Sequence, residues 1–218
     1  MYFEGVWNIE LDNTKGGIMR LVFIRHAPTN ANLAGAMVKD YDSQSIKPIS
    51  RAEISDWFCR IGWRIGPSFK LLCSPKLRCI QTAQALFGKN IEYGIVDELL
   101  DEFDCSGLGD KKFWEIDEAE FNSLVHLDKT EMEYKILDFI TWVEKNYDKH
   151  DTVVVIAHGL YIRTLISMIQ HSSDTPYELL NSTNIKFKNL DVLDIEDTST
   201  VFQRSDGYVI YNYDQNVL

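Results

Sequence analysis

Arg25 and His26 stand side by side where the apolar run Leu21–Ile24 ends. A neutral imidazole can serve as nucleophile or proton carrier, and a guanidinium offers a planar fork of donors that matches phosphate oxygens without losing its charge. The theme recurs twice. The stretch "SPKLRCIQTA" (74–83) carries Arg78 on the first turn of a predicted helix, and "VVVIAHG" (153–159) carries His158 at the end of a predicted strand. Gathered together, two histidines and two arginines would form a pocket for a phosphoryl group, whose transfer rests on positioning and charge stabilisation. Each residue has a plainer role open to it: a histidine at a strand end is commonly structural, and an arginine on a first helical turn is commonly solvated. That plainer role must hold independently at three strand exits, so convergence is the stronger expectation.

Hydrolysis would also need a proton for the leaving alkoxide and then a base for water, and one carboxyl can serve both in succession. The segment "DELLDEFD" supplies five carboxylates in eight residues: Asp97, Glu98, Asp101, Glu102 and Asp104. For any one of them a solvated loop is the simpler reading.

These residues must be positioned by the elements around them. Leu21–Ile24 suits a strand covered on both faces, and Pro28, Thr29, Asn30 and Asn32 suit a loop and helix start. Arg25 and His26 then lie at the C-terminal edge of a buried strand, where open α/β sheets bind ligands. Ser50 and Glu53 form a capping box that predicts a helix over about 51–64, closed by Gly66 and Pro67. A second strand is predicted over 69–74, then a helix with Pro75 at its first position and Gly88 as its stop, then a third strand over 91–96. Residues 97–130 read as an irregular acidic section with a short helix near 117–127. Thr130 and Glu133 form a second capping box, opening a helix to about Asn146. Residues 151–159 are the clearest strand, and the apolar residues at 160, 162, 165, 166 and 169 give a helical face. In the tail, "LDVLDIE" and "YVIYNY" suggest two antiparallel strands joined through Ser205-Asp206-Gly207. The alternation of strands and helices predicts an α/β fold with a largely parallel sheet.

A chain of 218 residues fits one domain, with 1–18 as an extension ahead of Met19 and 19–218 as the domain proper, 97–130 being its inserted section. Hydrophobic residues make up 45%, enough for a core, and no run approaches the length of a membrane span. The N-terminus lacks the basic-then-apolar order of a secretory signal. Four cysteines without a C-x-x-C pair point to a reduced, cytoplasmic setting, and no Cys/His cluster has zinc-ligand spacing. The net charge of −11 argues against nucleic acid and anionic membrane as partners and favours a small phosphate ester. A homodimer is left open. No phosphate-cradling Gly-rich loop of the P-loop or dinucleotide type is present.

The motifs already quoted resemble, in order, those of the histidine phosphatase superfamily, also called phosphoglycerate mutase-like. "RHAPTNAN" resembles its R-H-G-x-T-x-x-N signature, "SPKLRCIQTA" its S-P-x-x-R-x-x-Q-T-A segment, and "VVVIAHGLYIR" its second-histidine segment. "DELLDEFD" resembles the stretch that carries its acidic proton donor. The resemblance implies a three-layer α/β/α sandwich with a mostly parallel central sheet and a small inserted helical section. It implies His26 as a nucleophile forming a phosphohistidine, with Arg25, Arg78, Asn32 and His158 on the phosphate. Alignment selects Glu102 as the proton donor, ahead of Asp104 and then Asp101. No metal or cofactor enters that scheme, because the arginines and histidines supply the charge. Two departures stand out: Ala27 replaces the commoner glycine, and "CSGLGD" stands where a glycine and tryptophan often follow the acid.

The resulting expectation is a metal-independent phosphomonoesterase. A phosphoglycerate mutase is the first rival, disfavoured because residues 97–150 hold no basic W-R-R-like cluster. A non-catalytic phosphate-binding module is the second. Arg163 is expected to pack or to form a surface ion pair, Trp57, Trp63, Trp114 and Trp142 to be core, and Cys105 to be a bystander.

Overall fold

The computed structural model describes residues 19–36, 44–109, 111–181, 185–196, 198 and 201, together with the strand backbone of 208–211. The expected extension over 1–18 and the Ser205-Asp206-Gly207 turn lie outside these residues.

Among the described residues six strands make one sheet: β1 (Arg20–Arg25), β2 (Lys70–Cys73), β3 (Gly94–Ile95), β4 (Thr152–Ala157), β5 (Val192–Ile195) and β6 (Tyr208–Tyr211), in the spatial order β3-β2-β4-β1-β5-β6. The first four run parallel, whereas β5 is antiparallel to both β1 and β6. Successive side chains of a strand point to opposite faces, and here both faces are buried. On β1, Leu21 and Phe23 enter one core while Val22 and Ile24 enter the other; on β4, Val153 and Val155 are divided from Val154 and Ile156 in the same way. This is why these strands read as continuous apolar runs rather than alternating ones.

The helices supply the two outer layers. One layer holds α2 (Arg51–Arg60), through Trp57, and α3 (Leu77–Phe87), through Cys79, Ala83 and Leu86. The other holds α5 (Glu118–Leu124), α6 (Lys129–Asn146) and α7 (Gly159–Ile169). Among the described residues the remaining α-helices are the short α1 (Asn30–Ala34), α4 (Asp97–Leu100) and α8 (Pro176–Asn181). The three-layer expectation therefore holds, and the inserted section is α4, α5 and short 3₁₀ turns.

Several boundaries differ from the sequence reading. The Ser50/Glu53 capping box forms, but α2 stops at Arg60 and a 3₁₀ turn over Gly62–Ile65 follows. Pro75 is not the first helical residue. Lys76 is extended (φ −65°, ψ 134°), so α3 begins at Leu77. The N-cap of α6 is Asp128, whose carboxylate accepts from Thr130 N and Glu131 N at 2.8 and 3.1 Å, so the expected Thr130 cap lies inside the first turn. The third strand shrinks to two residues. All eleven residues of α7 are buried, not one face, because the helix is sandwiched between the sheet and α6 and α8.

Trp57 is wholly buried and donates Nε1–H to Leu190 O at 3.0 Å, but Trp63 and Trp114 are exposed, against expectation. Trp63 carries Arg64 over its ring, and Trp114 lies against Gly35, whose positive φ of 61° suits a residue without Cβ.

Candidate active site

Parallel pairing brings three strand ends to one edge. Arg25 is in register with Ala157 and Cys73 with Ile156, so the residues that follow face one another directly. His26 N donates to Ala157 O at 3.0 Å and Ser74 N to Ile156 O at 3.1 Å. The rings of His26 and His158 meet edge to face, 5.6 Å apart.

Burial and hydrogen bonding fix both imidazoles. His26 is 3% exposed, and its Nδ1 lies 2.8 Å from Ala27 O, an acceptor only. The proton therefore sits on Nδ1, and Nε2 keeps a free lone pair. Burial, then the charges of Arg78 and Arg25, hold its pKa well below 6.5. His158 is fully buried, and Arg78 Nη2 lies 3.0 Å from its Nδ1. A guanidinium can only donate, so Nδ1 accepts and Nε2–H donates to Ser74 Oγ at 2.7 Å. Burial, and next Arg78, keep this imidazole neutral as well.

The guanidiniums are held from behind. Arg25 Nη1 donates to Phe187 O at 2.7 Å, while its buried Nε meets no acceptor among the described residues. Gly159 packs against the guanidinium, where a Cβ would intrude. Ala27 keeps a negative φ and is fully buried, so the exchange for glycine is accommodated; its N–H donates to Thr82 Oγ1 at 2.9 Å, and that hydroxyl donates to Arg78 O at 2.6 Å. Thr82 thus ties the His26 loop to the helix that carries Arg78.

Among the five carboxylates of "DELLDEFD", Glu102 is the one the structure brings to His158. Its Oε2 lies 3.5 Å from His158 Nδ1, and burial is the main cause of its raised pKa, opposed by Arg78 and Arg25. Asp101 instead pairs with Lys76 at 3.1 Å, and Asp104 caps Ser106 N at 2.8 Å near the surface. The unusual "CSGLGD" forms a 3₁₀ turn over Ser106–Leu108 that buries Leu108 and sets Gly107 so close to Leu124 that a Cβ would fall 2.2 Å from its carbonyl oxygen.

Asn32 reaches the site edge in a different posture from a simple phosphate ligand. Its Oδ1 accepts from Thr29 N at 3.1 Å, closing a capping box, and from Asn189 Nδ2 at 3.4 Å. Only its amide N–H groups remain for a ligand. Arg163 forms no surface ion pair. It is 6% exposed, donates Nη1 to Leu179 O and Leu180 O at 2.8 and 2.9 Å, and is pushed down to about 9 by burial and then by Arg25. Among the described residues no group of three or more His, Cys, Asp and Glu side chains is gathered to hold a metal ion.

Residues 21–205 match the sequence model of the histidine phosphatase superfamily, branch 1. The chain belongs to that superfamily. Solved structures agree on the fold. A phosphoserine phosphatase from Entamoeba histolytica superposes with a TM-score of 0.67 at 18% identity, covering 92% of this chain and 100% of that one. The α-ribazole phosphatase from Shigella flexneri gives 0.61 at 17% identity, with 89% and 96% covered. A mycobacterial glucosyl-3-phosphoglycerate phosphatase gives 0.60 at 16% identity, with 89% and 99% covered. Comparison with curated protein sequences yields no match.

Three site residues of this histidine phosphatase were missed in its sequence. Ser74 lies inside a quoted motif, so its position before Pro75 was a usable signal. Thr82 lies in the same motif. Asn189, which donates to His26 O at 2.8 Å from 163 residues away, had no motif to mark it.

Proposed function

We propose that this protein is a metal-independent phosphomonoesterase that hydrolyses a small phosphate ester through a phosphohistidine on His26. The observation that carries the reading is the fixed neutral tautomer of His26, with Nε2 unprotonated beside two guanidiniums. Arg25 and Arg78 hold the phosphoryl oxygens and the Asn32 amide adds donors as the ester binds, while the single N–H of His158 joins them by turning from Ser74 Oγ to a phosphoryl oxygen. His26 Nε2 attacks phosphorus as the bond to the leaving oxygen breaks, and Glu102 gives that oxygen its proton. The same carboxylate then takes a proton from water, whose oxygen attacks phosphorus and releases phosphate and free His26. Burial keeps Glu102 protonated at higher pH than an ordinary carboxyl, which suits the first of these steps.

The phosphatase names of the structural neighbours support hydrolysis over mutase chemistry. All four cysteines are free thiols, which supports a reducing cytoplasm. Among the described residues no helix is long and apolar enough to cross a membrane, and the charge of −11 favours a small metabolite over a polyanion. The test is hydrolysis of p-nitrophenyl phosphate in excess chelator by wild type and His26→Ala. Turnover that survives chelation and vanishes in the variant is the expected result. A folded protein that binds phosphate but releases none of the aryl alcohol at any pH would overturn the reading in favour of a binding module.

A further inference from the structure

The segment carrying Glu102 is tied down on both sides of that residue. Before it, Asp101 Oδ1 accepts from Glu102 N at 2.8 Å and from Lys76 Nζ at 3.1 Å, while Asp101 O accepts from Lys135 Nζ at 2.8 Å. After it, Phe103 N donates to Glu102 Oε1 at 3.3 Å, and the Phe103 ring stacks on Tyr161 with Lys135 5.3 Å from its centroid. Lys76 is the N-cap of α3 and Lys135 lies on α6, so the two lysines reach the segment from the two opposite helical layers. One carboxyl oxygen of Glu102 is held by backbone. The other is left facing His158.

We propose that Asp101, Lys76 and Lys135 are positioning residues that aim the Glu102 carboxyl at the leaving group, with Asp101 as the link between the two lysines and the acid. The inference rests on the phosphomonoesterase reading above. Proton transfer demands a donor within hydrogen-bond reach of the leaving oxygen, and a loop alone would not hold a side chain to that tolerance. A cluster built only for stability would have no need to bring a partly buried lysine, whose pKa burial lowers, to a backbone carbonyl beside the acid.

The arrangement also sets opposite electrostatic signs around one carboxyl. Glu102 is faced by Arg78 from α3, Arg25 from β1, Arg163 from α7 and Lys135 from α6, and by His158 after β4. Asp101 adjoins it in the chain, and the thiols of Cys79 and Cys105 lie within its field. Removing the Lys135 cation makes ionisation of Glu102 harder. Removing the Asp101 anion makes it easier.

The experiment compares p-nitrophenyl phosphate, whose leaving group needs little acid help, with butyl phosphate, whose alkoxide needs much. Glu102→Gln serves as reference and should lose far more rate on butyl phosphate. Lys135→Met should lose about tenfold on butyl phosphate and about twofold or less on the aryl ester, and Asp101→Asn should show the same split. The alkaline limb of the kcat profile on butyl phosphate should move up in Lys135→Met and down in Asp101→Asn, and Lys135→Arg should restore wild-type behaviour. Parallel losses on both esters, or limbs that stay fixed or move in one direction, overturn the inference. If Lys135→Met does not fold, the isosteric Asp101→Asn carries the same two readouts. A Glu102→Gln enzyme that treats both esters alike sinks the parent reading of the acid. One that discriminates while Lys135→Met and Asp101→Asn do not sinks only the positioning roles.

Discussion

Gly159 lies so close to the Arg25 guanidinium that a Cβ built on it would fall 2.8 Å from Nε and 2.9 Å from Cζ. The glycine is the first residue of α7 and directly follows His158, so the chain passes from strand to helix where the Arg25 side chain packs against it. Nothing about its backbone conformation demands glycine, since its φ is not positive.

The Gly159→Ala variant should therefore fold and fail. The methyl group displaces the far end of Arg25 rather than a backbone atom, so thermal stability should stay within about 1 kcal/mol of wild type, helped by the helix preference of alanine. Inorganic phosphate should bind more than about tenfold more weakly, a factor equal to about 1.4 kcal/mol. Calorimetric unfolding beside phosphate titration checks both halves, and unchanged phosphate affinity would refute the assignment of Arg25 to the pocket.

The acid limb of kcat/KM should lie below pH 6.5. In the proposed reaction His26 attacks as the neutral imidazole, and burial with two neighbouring guanidiniums lowers its folded pKa from 6.5, so the active form persists as pH falls. The same shift makes stability depend on pH. Below about 6.5 the unfolded chain protonates His26 and His158 while the folded chain does not, so stability falls as pH drops toward their folded values. Glu102 acts oppositely. Its folded pKa is raised, so its contribution is complete below the unfolded value of about 4.5 and fades as pH rises through the folded one. Unfolding midpoints of wild type and His26→Gln between pH 5 and 8 should show a flatter slope in the variant.

Ser74→Ala should leave the Nε2–H of His158 without its acceptor. Without the hydroxyl, the buried Nε2–H loses its acceptor, at a cost of about 1–3 kcal/mol. Moving the proton to Nδ1 would set two donors, that N–H and the Arg78 guanidinium, against each other. The nitrogen-15 spectrum of His158 should report the lost hydrogen bond at Nε2, and phosphate affinity should fall with it. An unchanged spectrum would mean Ser74 is packing alone.

Arg163→Met should cost stability more than chemistry. The arginine supplies donors to Leu179 O and Leu180 O, and methionine leaves both carbonyls without that partner, at about 3 kcal/mol in total. Chemical denaturation should show that loss, while KM for p-nitrophenyl phosphate changes little, because Phe187 O remains to hold Arg25.

The site was legible in part because its chemistry-bearing residues adjoin segments whose patterns are strong. Arg25, His26 and His158 follow apolar strands, and once β1 and β4 are known to be parallel neighbours their ends must meet. The ranking of carboxylates was different. Asp101, Glu102 and Asp104 are alike in local composition, and what separates them is contact with distant chain: Lys76 for the first, His158 for the second, a local turn for the third. Trp63 and Trp114 show the converse, since their size suggested core and their positions on a 3₁₀ turn and beside Gly35 left them outside.

By itself the sequence determined the α/β alternation, the edge of the sheet where the chemistry gathers, and the residue types able to hold and attack a phosphoryl group. Periodicity and adjacency are local properties, carried by covalent neighbours. Only the tertiary structure decided the tautomers of His26 and His158, the placement of Glu102 rather than Asp101 or Asp104 against His158, and the supporting parts of Ser74, Gly159 and Asn189. Each of these depends on burial or on a partner outside the residue's own segment, and desolvation and hydrogen bonding are set by what the folded chain brings near, not by what precedes or follows in order.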